Sequence, residues 1–362
     1  MRRHDNDESG KIWGVTVQND LDRVLARHRT VIEDGYVRSG SPRYRSYAIS
    51  TLRGGVGKST LAFNLAYELT QKRSLLVADL CAQCNMTETL MPTVDEPIVT
   101  IIHALQPVLL GPAFGTQPDD VSFRVSMYCD AFKKGKPTWL IPGSPEMFAF
   151  PSTLYQQLQI ANAQGRPKAV SALLDSLKTV LEDQAKERKV EGILMDTSPF
   201  YAGGTHLAWC AADAVVIPVR VDEHSIASLE LTLDLLSNSE KDFQVWNGRA
   251  GGREGPRVAA VVMTMVGSRS QKQFTPDRAS TMYIERALEI ASQYPKLFDD
   301  DPTESFVITD DFVSSGRISG AKSIPISELK IGKFFTVEGK RLQVNSSVQR
   351  YQRELAYLAS VI

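Results

Sequence analysis

The amino-acid sequence predicts an α/β fold, in which strands and helices alternate along the chain. An apolar run from Tyr47 to Leu52 leads into a glycine-rich turn and then into a helical pattern that starts at Leu61. Two further apolar runs end in an acid, at Asp79 and at Asp196. Because the carboxyl ends of parallel strands meet at the ligand crevice of such folds, these two acids are candidate binding residues.

Composition limits the classes of protein that the chain can represent. At 362 residues, the length fits one α/β domain with insertions or two domains. The hydrophobic content of 43% allows a sizeable core, and the net charge of −1 means that nucleic-acid binding would need a local basic patch. The sequence has no apolar run of bilayer-spanning length and no signal peptide, and its four cysteines are not a disulfide framework. We expect a cytoplasmic protein without a membrane span.

Residues 1–45 form a polar extension, and residues 46–362 are predicted to form the main domain. The extension predicts a helix that packs on its own domain, acts as a dimerisation arm or contributes to a partner site. Its apolar residues recur at near-helical spacing: Val15, Leu21, Val24, Leu25 and Ile32. Within the main domain, the less regular segment near 107–136 is predicted to be an insertion, either a partner surface or a covered edge.

The glycine-rich turn is predicted to bind phosphate groups. It consists of Arg53, Gly54, Gly55, Val56, Gly57, Lys58, Ser59 and Thr60. Glycines let backbone N–H groups converge on phosphate oxygens, and the helix that follows adds the positive end of its dipole. Lys58 would reach the β- and γ-phosphates, and the Ser59 hydroxyl would ligate magnesium. An ordinary glycine turn is the alternative interpretation.

The later elements follow in the same alternating order. Apolar runs predict strands, and apolar residues at helical spacing predict helices between them and at the C-terminal end of the sequence, where the last helix is expected to dock on the core. The predicted strands cover residues 73–79, 137–141, 190–196, 211–219, 258–265 and 306–308. Cys81, Gln83, Cys84 and Asn85 follow the first of these strands, and Thr197, Ser198 and Pro199 follow the strand that ends at Asp196.

Four motifs in this order resemble those of the ParA/MinD family of ATPases. The glycine-rich turn resembles the family's deviant Walker A box, K-G-G-x-G-K-[ST], and the segment from Asp79 to Asn85 resembles D-x-D-P-Q-x-N. Residues 141–144 resemble I-P-[GA]-S, and residues 196–199 resemble D-x-P-P. The resemblance covers Tyr47 to Ile362. It implies a doubly wound, mostly parallel sheet flanked by helices, and a dimer that forms with ATP.

The resemblance also implies a set of site residues. Lys58, Arg53, Asp79 and Cys81 stand at catalytic positions. The residues expected to bind ATP are Gly54, Gly55, Val56, Gly57, Lys58, Ser59, Thr60 and Asn85. Those expected to hold Mg²⁺ are Ser59, Asp79 and Asp196, with Asp196 in the Walker B role.

Two of these positions depart from the family pattern. Arg53 replaces the lysine that contacts the partner's phosphates across the dimer; arginine keeps the charge but differs in reach. Cys81 replaces the second aspartate, which orients or activates the attacking water. Because a neutral thiol accepts hydrogen bonds poorly, we expect ATP binding to survive and hydrolysis to be slow. The Cys81-x-x-Cys84 spacing leaves a metal or redox role open beside the interpretation as two incidental residues.

The leading functional interpretation is a ParA-like ATPase of plasmid or chromosome partitioning. The resemblance implies that its ATP-bound dimer binds DNA without sequence preference and that a protein partner triggers release. Candidate phosphate contacts are Arg269, Lys272, Arg317 and Lys322. The alternative is a nucleotide-switched scaffold or regulatory ATPase of a membrane, secretion or defence complex, with little turnover. A third interpretation is a reductase-like iron–sulfur relative.

Overall fold

The computed structural model describes residues 8–94, 97, 99–111, 116–267 and 275–362, with side chains described from residue 19 onward. Eight strands form the central sheet, and two more form a separate hairpin. The strands are β1 (Ser46–Ile49), β2 (Leu75–Asp79), β3 (Phe123–Arg124), β4 (Thr138–Ile141), β5 (Gly192–Asp196), β6 (Ala214–Arg220), β7 (Arg257–Val266), β8 (Phe306–Asp310), β9 (Phe334–Val337) and β10 (Lys340–Gln343).

The helices in the described ranges cover both faces of the sheet. They are α1 (Glu8–Asp34), α2 (Lys58–Thr70), α3 (Asn85–Leu90), α4 (Ile101–Leu110), α5 (Phe150–Ala163), α6 (Pro167–Leu174), α7 (Ser176–Arg188), α8 (Gly204–Ala211), α9 (Glu223–Ser237), α10 (Asp242–Arg249), α11 (Arg278–Ser292), α12 (Val313–Lys322) and α13 (Val348–Val361). One face is covered by α4 to α11, and the other by α2, α3, α12 and α13.

The order of strands in the sheet is β3-β4-β2-β5-β1-β6-β7-β8. Every neighbouring pair is parallel except β3 and β4. Along β2, Leu76 and Ala78 enter one core while Leu75 and Val77 enter the other, because successive side chains of a strand point to opposite faces. A parallel strand that is covered on both sides needs such an unbroken apolar run. The predicted doubly wound α/β sheet flanked by helices is therefore confirmed.

The N-terminal helix α1 packs on the domain that follows it, against β8, α11 and α13. Its residues Leu21 and Val24 are buried in the core. The Arg27 guanidinium donates a hydrogen bond to the Phe306 carbonyl of β8 at 3.2 Å. At the other end of the sequence, α13 buries its apolar stripe, including Leu355 and Leu358, as predicted.

Two strand features have no counterpart in the sequence prediction. The short strand β3 lies within the segment near 107–136 and pairs with β4 at the edge of the sheet. Val125 and Phe132 from the same segment are buried in the core, so part of this segment belongs to the packing of the domain. The second feature is the hairpin of β9 and β10. None of the helices in the described ranges is long and apolar enough to span a membrane.

Candidate functional site

The glycine-rich turn lies between β1 and α2, and its backbone forms an open cradle. Gly55 and Gly57 have φ angles of 76° and 81°, a left-handed conformation that glycine adopts without strain. A side chain placed at Gly54 or Gly55 would meet nothing within 4 Å, so this side of the turn is unobstructed. The first turn of α2 has backbone N–H groups without intrahelical partners. Together these features provide donors and space for a bound anion.

Lys58 and Asp196 form a buried ion pair behind the turn. The Lys58 Nζ atom lies 2.6 Å from the Asp196 Oδ1 atom, and the two side chains are 8% and 1% exposed. The Ser59 hydroxyl donates to the other carboxylate oxygen of Asp196 at 3.3 Å. The pair forms because β5, which ends at Asp196, lies next to β1, which leads into the turn. A cation, a hydroxyl and a carboxylate are thus gathered behind the cradle.

Asp79 lies beside Asp196 in the sheet but makes different contacts. It is fully buried, and its carboxylate accepts hydrogen bonds from the Cys81 N–H at 3.0 Å and from the N–H and hydroxyl of Thr87 at 2.9 and 2.8 Å. The Thr87 hydroxyl in turn accepts from the Gly143 N–H at 2.8 Å. Burial, with the Asp196 charge adding to it, raises the pKa of Asp79 to about 6. This arrangement holds the connection from β2 to α3 in place.

Cys81 is only 2% exposed, and burial raises the pKa of its thiol. Burial also raises the pKa of Cys84 to about 12, so both sulfurs are neutral thiols at neutral pH. Within the described residues, no three His, Cys, Asp or Glu side chains are grouped in a way that would hold a metal ion. The metal interpretation of Cys81-x-x-Cys84 therefore has no ligand set there. Asn85 is exposed, and its amide donates to the Gln83 side chain at 3.4 Å.

Arg53 is exposed at the start of the turn. Its backbone N–H donates to the Thr51 hydroxyl at 3.3 Å, and its guanidinium has no ion pair with any carboxylate of the described ranges. Of the basic residues predicted to contact DNA, Arg317 and Lys322 are exposed on α12. The other two, at positions 269 and 272, lie outside the described residues.

A cavity of about 400 Å³ adjoins the glycine-rich turn. Sequence reasoning missed most of it, because its walls come from the ends of β7 and β8 and from α12, far along the chain. Met265 and Val313 in these walls have φ angles of 57° and 39°, a costly conformation that is often found at ligand sites. The lining residues are Val56, Gly57, Thr60, Leu61, Thr264, Met265, Thr309, Asp310, Asp311, Phe312, Val313, Gly316 and Arg317.

A glycine-rich turn between a strand and a helix, with a lysine and a strand-end acid behind it, defines a P-loop nucleotide-binding protein. A family model described as an AAA domain matches residues 44–244, more than half of the chain. The chain belongs to this family, as a ParA/MinD-type P-loop ATPase. A search of curated proteins finds no significant match.

Solved structures share the fold at low sequence identity. Apo McdA from Cyanothece is 19% identical with a TM-score of 0.57, and the match covers 78% of this chain and 92% of McdA. The ATP complex of a McdA variant is also 19% identical, with a TM-score of 0.58 and coverage of 80% and 91%. A Borrelia burgdorferi protein described as a plasmid partition protein, bound to AMPPNP, is 16% identical with a TM-score of 0.50 and coverage of 86% and 96%.

Proposed function

We propose that this chain is an ATP-driven dimeric switch of the ParA type, whose ATP-bound dimer retains DNA without sequence preference. The observation that carries the proposal is the open turn over the Lys58–Asp196 pair, with the exposed Arg53 guanidinium, which has no ion pair within the described ranges, at its end. These groups provide a phosphate cradle and a cation that is free to contact a second subunit. The setting of this activity is the cytoplasm.

The triphosphate of ATP would lie in the cradle, and the nucleoside would occupy the adjoining cavity, whose volume suits a small ligand. In the free chain, Lys58 neutralises the buried Asp196 carboxylate. When the phosphates enter, the Lys58 ammonium turns toward the β- and γ-oxygens, and Asp196 is then free to take another cation. The backbone N–H groups at the start of α2 complete the contacts to phosphate.

The residues behind the turn fit Mg²⁺, because a hydroxyl and a carboxylate are oxygen ligands of the kind that it prefers. Ser59 and Asp196, 3.3 Å apart, would hold it. The bound ion would neutralise phosphate charge. For Asp79 we propose a positioning role in place of the metal and catalytic roles that the sequence suggested. Its carboxylate is fully buried and already accepts three hydrogen bonds from Cys81 and Thr87.

Arg53 is proposed to contact the phosphates bound by the partner copy. Its guanidinium is solvent-exposed and has no carboxylate partner in the described ranges. It can therefore contact a phosphate group across an interface without breaking an existing ion pair. A guanidinium can bind phosphate in a bidentate manner. Dimerisation would therefore depend on ATP and would complete the site. A protein partner that stimulates or positions the ATPase is part of the same proposal.

DNA retention is tested by gel shift with duplex DNA of mixed sequence, in ATP, ADP or no nucleotide. We expect retention with ATP and Mg²⁺ only, and affinity that falls steeply as salt rises, since phosphate contacts release counterions. Lys58→Ala, which removes the phosphate-binding cation, should show no ATP effect. Wild-type protein that dimerises with ATP but does not retain DNA at low salt would overturn this part of the proposal.

A second candidate function is a nucleotide-switched scaffold with little turnover, and the Cys81 thiol favours it. The thiol is buried and neutral, so it is a poor acceptor for a proton from the attacking water. A scaffold would bind ATP and dimerise, would release phosphate very slowly and would not retain DNA. Measuring all three properties on one preparation separates the two functions.

A further inference from the structure

The hairpin formed by β9 and β10 is a well-defined projection, and residues 330–344 are called the basic hairpin below. Its turn residues Glu338 and Gly339 have φ angles of 49° and 75°, as a two-residue turn between twisted strands requires. At its base, the Gly332 N–H donates to the Val344 carbonyl at 2.8 Å, and the Val344 N–H donates to the Lys333 carbonyl at 2.9 Å. These bonds extend the ladder of the hairpin beyond its four-residue strands.

One face of the basic hairpin is anchored on the domain. Phe335, Val337 and Leu342 are partly buried and pack against the core on the α12 and α13 side of the sheet. The Ser314 hydroxyl of α12 donates to the Gln343 carbonyl at 3.5 Å. Because alternate residues of a strand point to opposite faces, fixing these three apolar side chains fixes which residues point away from the domain.

The outward face carries Phe334 and Arg341, and exposed lysines stand at both ends of the hairpin: Lys330 and Lys333 at its base, and Lys340 next to the turn, where it pairs with Val337. Phe334 is 48% exposed, and the Arg341 guanidinium carbon lies 4.1 Å from the centre of its ring. Three exposed lysines and Arg341 are accompanied by a single carboxylate, Glu338, which gives residues 330–344 a net charge of +3. In the described part of the chain, no carboxylate forms an ion pair with any of the four cations, which are Lys330, Lys333, Lys340 and Arg341.

Further exposed cations lie on α12, the helix against which the basic hairpin packs. Arg317 and Lys322 are exposed on this helix and likewise have no carboxylate partner among the described residues. The chain as a whole has a net charge of −1, so this concentration of cations is local. A local basic patch is what a nearly neutral protein needs for binding a polyanion.

We propose that the basic hairpin, together with Arg317 and Lys322, is the surface that holds the phosphate backbone of duplex DNA. This inference rests on the proposed ATP-dependent retention of DNA and assigns its location. Stacking on Phe334 orients the Arg341 guanidinium and leaves its N–H donors free for phosphate oxygens. An anionic membrane fits less well, since membrane binding uses an exposed apolar face, whereas Phe334 shares its face with the polar residues Thr336, Arg341 and Gln343.

The position of α12 connects this surface to the nucleotide. Val313, Gly316 and Arg317 line the cavity beside the glycine-rich turn, while Ser314 of the same helix contacts the hairpin. A nucleotide that fills the cavity contacts the helix on which the basic hairpin rests. DNA affinity on this surface is therefore expected to respond to ATP.

The test uses the full chain with Lys333→Gln, Lys340→Gln and Arg341→Gln combined. The matched control combines Lys168→Gln, Lys186→Gln and Arg249→Gln, which removes two exposed lysines and one ring-stacked arginine from the opposite face of the sheet. Binding of a mixed-sequence duplex of about 60 base pairs is measured by fluorescence anisotropy with ATP at several salt concentrations. Circular dichroism melts and ATP-dependent light scattering show that each variant folds and dimerises.

We expect the hairpin variant to bind at least about tenfold more weakly than the wild type at low salt. Its log–log salt slope should be smaller by about 2 to 3, since each lost phosphate contact removes nearly one unit. The control should match the wild type in both quantities. If the hairpin variant also matches the wild type, the assigned surface is wrong while ATP-dependent DNA retention stands.

Two other outcomes would overturn more than the surface. If wild-type protein with ATP dimerises but does not bind the duplex, the proposed DNA function fails, and this inference fails with it. Vesicles of phosphatidylserine and phosphatidylcholine serve as a second probe. If wild type binds these vesicles but not the duplex, and the hairpin variant loses that binding, the surface is right and its assigned occupant is wrong.

Discussion

Asp79 and Asp196 occupy paired positions on the adjacent strands β2 and β5, and both carboxylates are buried. Their charges are accommodated in different ways. Lys58 neutralises Asp196 directly at 2.6 Å, whereas Asp79 relies on hydrogen bonds from Cys81 and Thr87. Each carboxylate charge at this spacing disfavours ionisation of the other, so the two charges need separate stabilising partners. Asp196 is paired with the lysine of the glycine-rich turn, and Asp79 holds the connection that follows its own strand.

The first prediction concerns the pH dependence of stability. Because the pKa of Asp79 is raised from 3.8 to about 6 in the folded chain, the folded state binds its proton more tightly than the unfolded state. The contribution of Asp79 to the free energy of unfolding is fully present below about pH 4 and is lost as pH rises through about 6. The loss amounts to up to about 3 kcal/mol.

Urea unfolding of wild type and Asp79→Asn at several pH values from about 4.5 to 7.5 measures this contribution. The free energy of unfolding of wild type relative to Asp79→Asn should fall as pH rises across that range. The comparison cancels the titration of other groups. A difference that is constant with pH, or that grows as pH rises, would contradict the assigned role of burial.

The second prediction is that Lys58→Ala abolishes dimerisation by ATP, because the cation that holds the phosphates is lost. The substitution also leaves Asp196 buried without its partner, which should cost about 3–5 kcal/mol of stability. Lys58→Arg keeps a cation beside Asp196 and should fold normally while still failing to dimerise. Lys72→Ala, an exposed lysine just beyond the other end of α2, is the control. Light scattering with ATP checks each variant, and dimers of Lys58→Ala would refute the site.

The third prediction separates binding from dimerisation through Arg53. Arg53→Ala should bind ATP with nearly unchanged affinity, because the guanidinium is exposed and away from the Lys58–Asp196 pair. Its ATP-dependent dimerisation should weaken by about tenfold or more, as expected for losing a charge-assisted contact of about 1.5–3 kcal/mol. Arg53→Lys should recover part of the loss. Titration with a fluorescent ATP analogue and light scattering measure the two steps, and unchanged dimerisation would exclude the trans contact.

The fourth prediction is that Cys81→Asp raises ATP turnover. Loss of a proton acceptor typically costs about a hundredfold in rate, or about 3 kcal/mol of barrier, and a carboxylate should restore part of it. ATP affinity should change little, since Lys58, Ser59 and the cradle are intact. Steady-state phosphate release is the measurement.

Cys81→Asn is the control for this experiment, because it has nearly the shape of the aspartate without its charge. It should leave turnover at the wild-type level. The new carboxylate would lie near Asp79 and Asp196, whose charges oppose it. Turnover in Cys81→Asp that equals or falls below that of wild type would mean that Cys81 only packs.

The glycine-rich turn and the strand-end acid behind it could be predicted from sequence because their signals are local. The turn from Arg53 to Thr60 follows a strand and opens a helix, and Asp196 ends an apolar run. The structural role of Asp79 was not predictable in this way. Its partners are the Cys81 N–H, just after β2, and Thr87 of α3, which the Gly143 N–H contacts from beyond β4, so the role depends on how separate segments pack.

The cavity and the hairpin were missed for related reasons. Walls built from β7, β8 and α12 are brought together only by the sheet order, which the sequence does not state. The hairpin did leave a signal, since the Glu338-Gly339 turn separates two short alternating segments. In a strand of four residues, apolar and polar residues alternate too few times to distinguish the strand from a charged loop. The sequence therefore predicts the glycine-rich turn and its strand-end acid better than the cavity and the hairpin.

The packing of α1 beside β8 also bears on how the protein behaves in solution. An outermost strand offers unpaired backbone groups on which another chain can build, and such growth leads to aggregates. Here the Phe306 carbonyl accepts from Arg27 of α1, and the Asp310 N–H donates to Glu354 at 3.0 Å. At the opposite margin, β3 is only two residues long. Backbone groups at both ends of β8 are thus already bonded within the chain. Removing α1 exposes the Phe306 carbonyl, so a variant that lacks α1 should aggregate more readily than the full chain as its concentration rises, as measured by light scattering.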